Sequence, residues 1–567
     1  MAEQFTSLVN SVGGLSIANK TTEILAGSIS NCRNPTQQAL VEAIQTLIQS
    51  CEDASKQAQQ AEALVRSTQS RSDRFMMKLR KRATALTRIT ETLRDATERH
   101  IIAYISSLAG PGSLVQKMLQ HFTHELRNIV RNVLDSTSDD GNVLRETLEM
   151  SYDQALHTSG TLHSDNYFIP LGEASLGWPY DPDFESEAYY QHEDRLALDE
   201  GYAEAFRVRC EHRYEKEKQK EKQQTEEWIG FWVQALSSCP DGPTLFYSPA
   251  GRLPNCHLAD VPRYLFRAFD RDSYGRSDHR IVASAASISP GHSTVNLLSR
   301  TEEEIKRMLY THLTYAHFGE GDANNLVSWS SSLLFVIQCA IWRCHGSDGD
   351  PTGVEICMID TRKFPRGQFA RDKPLLRAYP QAPEVDKKKR SISNLRLNGG
   401  DYDNGEYLSQ GVLHHAGRSS VVSLAQLIQA GLHDLYPEFA DRDNAARSLW
   451  PKRVGALRSK WAPEHTTTQL EIQRALKIAR SCFNSFDAPD VATLLLSFKE
   501  RKLRASATKG AKFCLRRSSD YGPYEVQRYM AIAETMMPKD RDRDSLKAGG
   551  QSTTSDSQLL EGVFECS

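Results

Sequence analysis

The chain has 567 residues, 39% of them hydrophobic and 25% charged, with a formal net charge of −3. That length exceeds one ordinary core and predicts about three domains. The near-neutral charge gives no global pull toward nucleic acid or an acidic membrane surface. The N-terminal segment Met-Ala-Glu-Gln-Phe-Thr-Ser has neither a basic region nor an apolar stretch, so no secretory signal is expected. The longest strongly apolar run, Leu333 to Trp342, is about half of what spans a bilayer. Eleven cysteines are scattered, with no C-x-x-C pair, which fits reduced thiols and a cytoplasmic placement.

Residues 1–158 read as helical, a bundle or coiled-coil-like region. Leu40, Val41, Ile44, Leu47, Ile48 and Cys51 recur at helical spacing after Pro35. A second helix is expected from Arg71 to Leu108. It is followed by a break at Gly110-Pro111-Gly112 and a third helix through Val115, Met118, Phe122, Leu126 and Ile129. Residues 159–202 are rich in Asp, Glu, Tyr, Gly and Pro and read as an acidic linker. Residues 203–236 form a charged helix whose glutamates interleave its lysines, so no nucleic-acid arm is expected there.

From residue 255 to 440 the pattern changes to short strands mixed with helices, an α/β domain inside an α+β chain. Tyr264–Phe269, Leu326–Ser330, Val354–Ile359 and Tyr407–Leu413 read as strands. Thr301 with Glu304, and Ser423 with Gln426, are capping boxes that open helices. Residues 441–535 return to helix, and 536–567 read as a disordered tail.

Three side chains stand out in this central segment: Arg267 inside an apolar strand, the serines of Ser328-Trp329-Ser330-Ser331-Ser332 at a strand-to-helix junction, and Glu406 ahead of a later strand. Their order resembles the Arg–Ser–Glu class of ADP-ribosyltransferases. The resemblance implies NAD as cofactor. Arg267 would hold it, with bidentate reach to a pyrophosphate or ribose. A serine would place the nicotinamide ribose, and Glu406 would stabilise the oxocarbenium-like centre as nicotinamide leaves. The serine motif can start at Ser328 or at Ser330, and Ser330, at the strand end, is the preferred reading. Asn404 stands two residues before Glu406, where this class carries Gln or Glu to activate the acceptor.

A longer resemblance runs over residues 262–440. Tyr264-Leu-Phe-Arg-Ala-Phe-Asp270, Ser328-Trp-Ser-Ser-Ser-Leu-Leu-Phe335, Asp360-Thr-Arg-Lys-Phe-Pro365, Gly405-Glu-Tyr-Leu-Ser-Gln-Gly-Val-Leu413 and Leu435-Tyr-Pro-Glu-Phe439 are similar to an uncharacterised domain of filamentous fungi. It implies a fold and no established activity. Two function classes therefore stand: a non-catalytic interaction module whose helical regions recruit protein partners, and an NAD-dependent transferase or glycohydrolase.

Other candidates read more plainly. Cys339, Cys344, His345 and Cys357 lack the spacing of a tetrahedral metal set, so no metal site is expected. His414-His415 reads as a surface pair. Lys387–Arg390 is a solvated basic loop, with nuclear import as its minority reading. No phosphate-binding glycine loop is present.

Overall fold

The computed structural model describes residues 49–63 in part, 73–136, 142–157, 160–167, 187–248, 261–288, 295–314, 324–346, 349–380, 396–397, 403–440, 450–504, 522–536 and 555–566. The expected helix at Leu40–Cys51, apart from Gln49, and the basic run Lys387–Arg390 lie outside them. The chain divides into two compact units, Met1–Pro240 and Asp241–Ser567.

The first unit is helical among its described residues. It comprises α1 (Asp73–Leu108), α2 (Leu114–His121), α3 (Thr123–Ser136), α4 (Val143–Leu156), α5 (Glu187–Leu198) and α6 (Glu200–Ser238). The third helix expected from the sequence is divided at Phe122, which is itself buried beside Met118, Leu119 and Leu126. The expected acidic linker is corrected at its end: residues 187–198 are helical. Asp199 then caps α6 by accepting from the Tyr202 N–H. The charged middle of α6 leads into an apolar end, where Trp228 and Trp232 are fully buried and Trp228 Nε1 donates to the Leu162 carbonyl at 2.9 Å.

In the second unit the strands are β1 (Tyr264–Asp270), β2 (Arg276–Ser277), β3 (Ile281–Ala283), β4 (Leu326–Ser330), β5 (Val354–Asp360), β6 (Ala370–Arg371), β7 (Glu406–Gln410), β8 (Val412–His414) and β9 (Ser419–Ser423). Six of them form an antiparallel sheet in the order β6-β7-β4-β1-β5-β9, and β2-β3-β8 form a second, small sheet. The single strand expected over Tyr407–Leu413 is therefore two. Gly411, at φ +72°, turns the chain between them, and a Cβ there would meet the Thr244 hydroxyl at 2.4 Å.

The helices of seven or more residues are α7 (Glu302–Leu313), α8 (Leu333–Gly346), α9 (Asp372–Ala378), α10 (Leu424–Ala430), α11 (Trp450–Lys460), α12 (Gln469–Cys482), α13 (Ala488–Leu496), α14 (Tyr524–Met536) and α15 (Asp556–Val563). Both expected capping boxes are formed, at α7 and α10. Alternation along β1 and β5 sends Tyr264, Phe266, Ile356 and Met358 to one face, where they pack with α8 and the C-terminal helices in one core. Leu265, Phe269, Cys357 and Ile359 face the other way, onto Trp329, Tyr407, Val282 and Leu413. The segments expected as a separate domain (255–440) and a separate helical region (441–535) thus share a core. The expected disordered tail is corrected too. Residues 537–554 lie outside the described part, but α15 is capped by Ser555 and buries Leu560 and Phe564 in that same core.

His415 corrects another expectation. It is fully buried, with Nδ1 2.7 Å from the Ser419 hydroxyl, and burial lowers its pKa to about 4.

Candidate functional site

β1 and β4 pair at one position, Phe266 with Ser330. β1 pairs instead along its whole length with β5, and β4 with β7. The sheet therefore splits between β1 and β4. In the split the Ser328 carbonyl is taken by Arg267, whose Nη1 donates to it at 2.9 Å. A cavity of about 310 Å³ opens there, lined by Arg267, Ser328, Ser330, His312, Asn404 and Glu406, with apolar walls from Phe266, Phe335 and Val336.

Glu406 is 2% exposed. The Ser328 hydroxyl donates to its Oε1 at 2.7 Å. On Oε2, the Asn404 amide donates at 3.1 Å and Arg396 Nη2 stands at 2.6 Å. Burial works to raise this carboxyl's pKa. The Arg396 guanidinium, the Ser328 hydrogen bond, His312 and the Asn404 amide together hold it below the ordinary glutamate value. Glu406 is thus an anion at neutral pH and only accepts. The one hydroxyl proton of Ser328 points to it. His312 Nε2, 2.8 Å from the same hydroxyl oxygen, must then be the donor to Ser328. A carboxylate has about four acceptor directions. Three are used among the described residues, one on Oε1 and two on Oε2, which leaves one on Oε1 beside Ser328 for a further donor.

The two candidate serines divide. Ser328 carries the contact with Glu406. Ser330 lines the cavity, but its hydroxyl donates to the Asn404 carbonyl at 2.6 Å and accepts the Ser332 N–H at 3.0 Å. It ties the end of β4 to the segment that enters β7. Asn404 spends its amide nitrogen on Glu406 and its carbonyl oxygen on Arg396.

Behind the cavity lies a buried cluster of alternating charge. Asp403 accepts from Lys373 Nζ at 2.6 Å and from the Gly405 N–H at 2.9 Å; burial opposes its ionisation, but Lys373 prevails and the carboxyl is lowered. Asp372, 2% exposed and 3.8 Å from Arg396, is pushed up to about 7 by burial, with Glu406 and Asp403 adding to the effect. A second brace comes from the C-terminal helices. Arg458 of α11 pairs with the buried Glu525 of α14 at 2.7 Å and donates to the Asp403 carbonyl at 2.8 Å, while Glu525 accepts from the Ser332 hydroxyl at 2.5 Å.

Sequence reading missed His312, Arg396 and the Arg458–Glu525 pair. For His312 a signal existed. It follows Ile305 and Leu309 at helical spacing, which places a polar ring on the buried stripe of α7. Arg396 and Arg458 carry no local mark. Cys339 lines the cavity, and burial raises its thiol pKa. Among the described residues no group of His, Cys, Asp or Glu is arranged to hold a metal.

Fold and site together define a mixed α+β unit with a polar, arginine-bearing cleft in a split antiparallel sheet. Residues 260–411 of it match the family model described as "Domain of unknown function (DUF7587)". No curated protein and no solved structure matches the chain. No described helix is long and apolar enough to cross a membrane.

Proposed function

We propose that the cleft between β1 and β4 binds the nicotinamide–ribose end of NAD and cleaves its N-glycosidic bond. The observation that carries this reading is that Arg267, Ser328 and Glu406, far apart in sequence and on three adjacent strands, line one cavity in which Glu406 is a buried anion. Glu406 stabilises the positive charge that develops on the ribose C1′. Ser328 orients Glu406, and the open acceptor direction beside it takes a ribose hydroxyl. Arg267 supplies positive charge toward a pyrophosphate.

The bond from C1′ to the pyridinium nitrogen breaks, and its electron pair neutralises the departing nicotinamide. A water oxygen bonds to C1′ and its proton goes to solvent. Water is favoured over a protein acceptor because both ends of the Asn404 amide are engaged by Glu406 and Arg396.

The test is nicotinamide release from NAD by the full chain, followed by chromatography, beside Glu406→Gln. The variant should lose on the order of 10²–10³ in rate, the size of a lost charge-stabilising group, and still bind NAD. Equal release by both proteins would end the role of Glu406. Absence of release by the wild type would favour a second reading, a non-catalytic interaction module whose helical regions recruit protein partners. That reading rests on the Arg396–Glu406 ion pair, which already neutralises the carboxylate.

A further inference from the structure

The cavity does not end at Arg267. Its lining continues to Asp272, Ser273 and Tyr274 in the turn that joins β1 to β2. Tyr274 is 68% exposed, an aromatic ring presented to solvent on an otherwise polar turn.

That turn is rigidly braced. Arg343 Nη1, from α8, donates to both carboxylate oxygens of Asp270 at 2.8 and 2.9 Å and to the Ser273 hydroxyl at 3.2 Å. The Ser273 hydroxyl donates to Asp270 Oδ1 at 2.9 Å, and its oxygen accepts the Asp270 N–H at 2.9 Å. Gly275, next to the tyrosine, sits at φ +91° with its Cα against the Ala283 carbonyl, where a Cβ would come within 2.3 Å. The backbone that carries the ring is therefore fixed before any ligand arrives, which lowers the part of the ordering cost that the turn would add.

Register sets the distance. Phe266 lies opposite Ser330, which lies opposite Glu406. Asp270 is four residues further along β1, roughly 13 Å at the rise of a β-strand. A cavity of about 310 Å³ is at the small end of ligand sites. On the NAD reading a nicotinamide ribose fills its Glu406 end, and the dinucleotide must then carry its second base outward to the rim. The path runs past the Arg267 and Arg343 guanidinium groups, both of which line the cavity.

We propose that Tyr274 is a stacking platform for the adenine of bound NAD, so that the β1–β2 turn forms an adenine subsite at the mouth of the cleft. This rests on the NAD reading above and adds a requirement for the whole dinucleotide. Base–aromatic stacking is worth about 1–3 kcal/mol, or roughly 5- to 150-fold in affinity.

Calorimetric titration of the full chain with NAD and with nicotinamide mononucleotide, which lacks the adenosine half, tests it. Tyr274→Ala should weaken NAD binding by that factor and leave the mononucleotide affinity unchanged, and Tyr274→Phe, which keeps the ring, should bind both like the wild type. Unchanged NAD binding by Tyr274→Ala overturns the subsite. So does an equal loss for both ligands, which would make Tyr274 a support of the cavity as a whole. A wild type that binds both ligands with the same affinity also overturns the subsite while leaving the NAD reading standing. A wild type that binds neither overturns the NAD reading, and the subsite falls with it.

Discussion

Replacing Gly405 with alanine probes the contact on which the site is built. Gly405 sits between Asn404 and Glu406 at φ +60°. A left-handed conformation costs an ordinary residue roughly 1–2 kcal/mol. A Cβ would also come within 2.0 Å of the Ser331 hydroxyl and 3.1 Å of Pro523 Cδ. Ser331 is 2% exposed, and Gly522 packs against the same hydroxyl, so the side chain has little room in which to move aside. Overpacking of that kind costs about 1–3 kcal/mol, for a sum of about 2–5 kcal/mol.

Gly417→Ala is the matched control: φ is +74°, with nothing within 4 Å of the new Cβ, so only the backbone cost applies. Hydrogen exchange measured at the amides of β7 reads the opening free energy directly. Gly405→Ala should accelerate exchange there roughly 30-fold to several-thousand-fold over the wild type, well beyond Gly417→Ala. Equal exchange in the two variants would mean that Ser331 and Pro523 give way freely, and the close-packed turn would not be what positions Glu406.

Three further outcomes follow from the charges. Arg458→Met leaves Glu525 buried without its cation and should cost about 3–5 kcal/mol in urea denaturation; adding Glu525→Gln should recover part of the loss, and strictly additive costs would deny the coupling. Asp372, held up at about 7 by burial, binds its proton more tightly in the folded chain than in the unfolded one. Wild-type stability should therefore fall between about pH 4 and pH 7 on this account and level off above. Asp372→Asn removes that slope, so its advantage over the wild type should grow across this window, and a difference that stays flat with pH would refute the assignment. Burial acts to raise the Glu406 carboxyl and Arg396 is the strongest influence holding it down. Arg396→Met should therefore move the acidic limb of nicotinamide release to higher pH, and an unmoved limb would exclude Arg396 from that role.

Local patterns carried the strands and capped helices into view from the sequence, because alternation and caps are written in neighbouring residues. Thr301 with Glu304 and the strand Leu326–Ser330 are examples. Gly411 was harder to read. Only the folded chain shows that the residues after it leave the main sheet for β3. The order Arg267, Ser328, Glu406 could be read, while Arg396 beside Glu406, and the His312–Ser328 and Arg458–Glu525 pairs, could not. His312 lies 16 residues from Ser328, and Arg458 lies 67 residues from Glu525. Such pairings are set by helix docking, and residue type alone does not announce them. Which of Ser328 and Ser330 meets Glu406 was equally hidden, because tertiary geometry turns the Ser330 hydroxyl to the Asn404 carbonyl and the Ser328 hydroxyl to Glu406.

The shared core has a practical consequence for dissecting the chain. The family match stops at residue 411, at the turn between β7 and β8. A fragment cut there would lack β9, the neighbour that covers the outer edge of β5, and would leave a long bare strand edge of the kind that recruits other chains. It would also strip α10 to α15 from Tyr264, Phe266, Ile356 and Met358. The smallest piece worth expressing is therefore set by what those four side chains need to stay dry, and it runs from Asp241 to the C-terminal residues of α15.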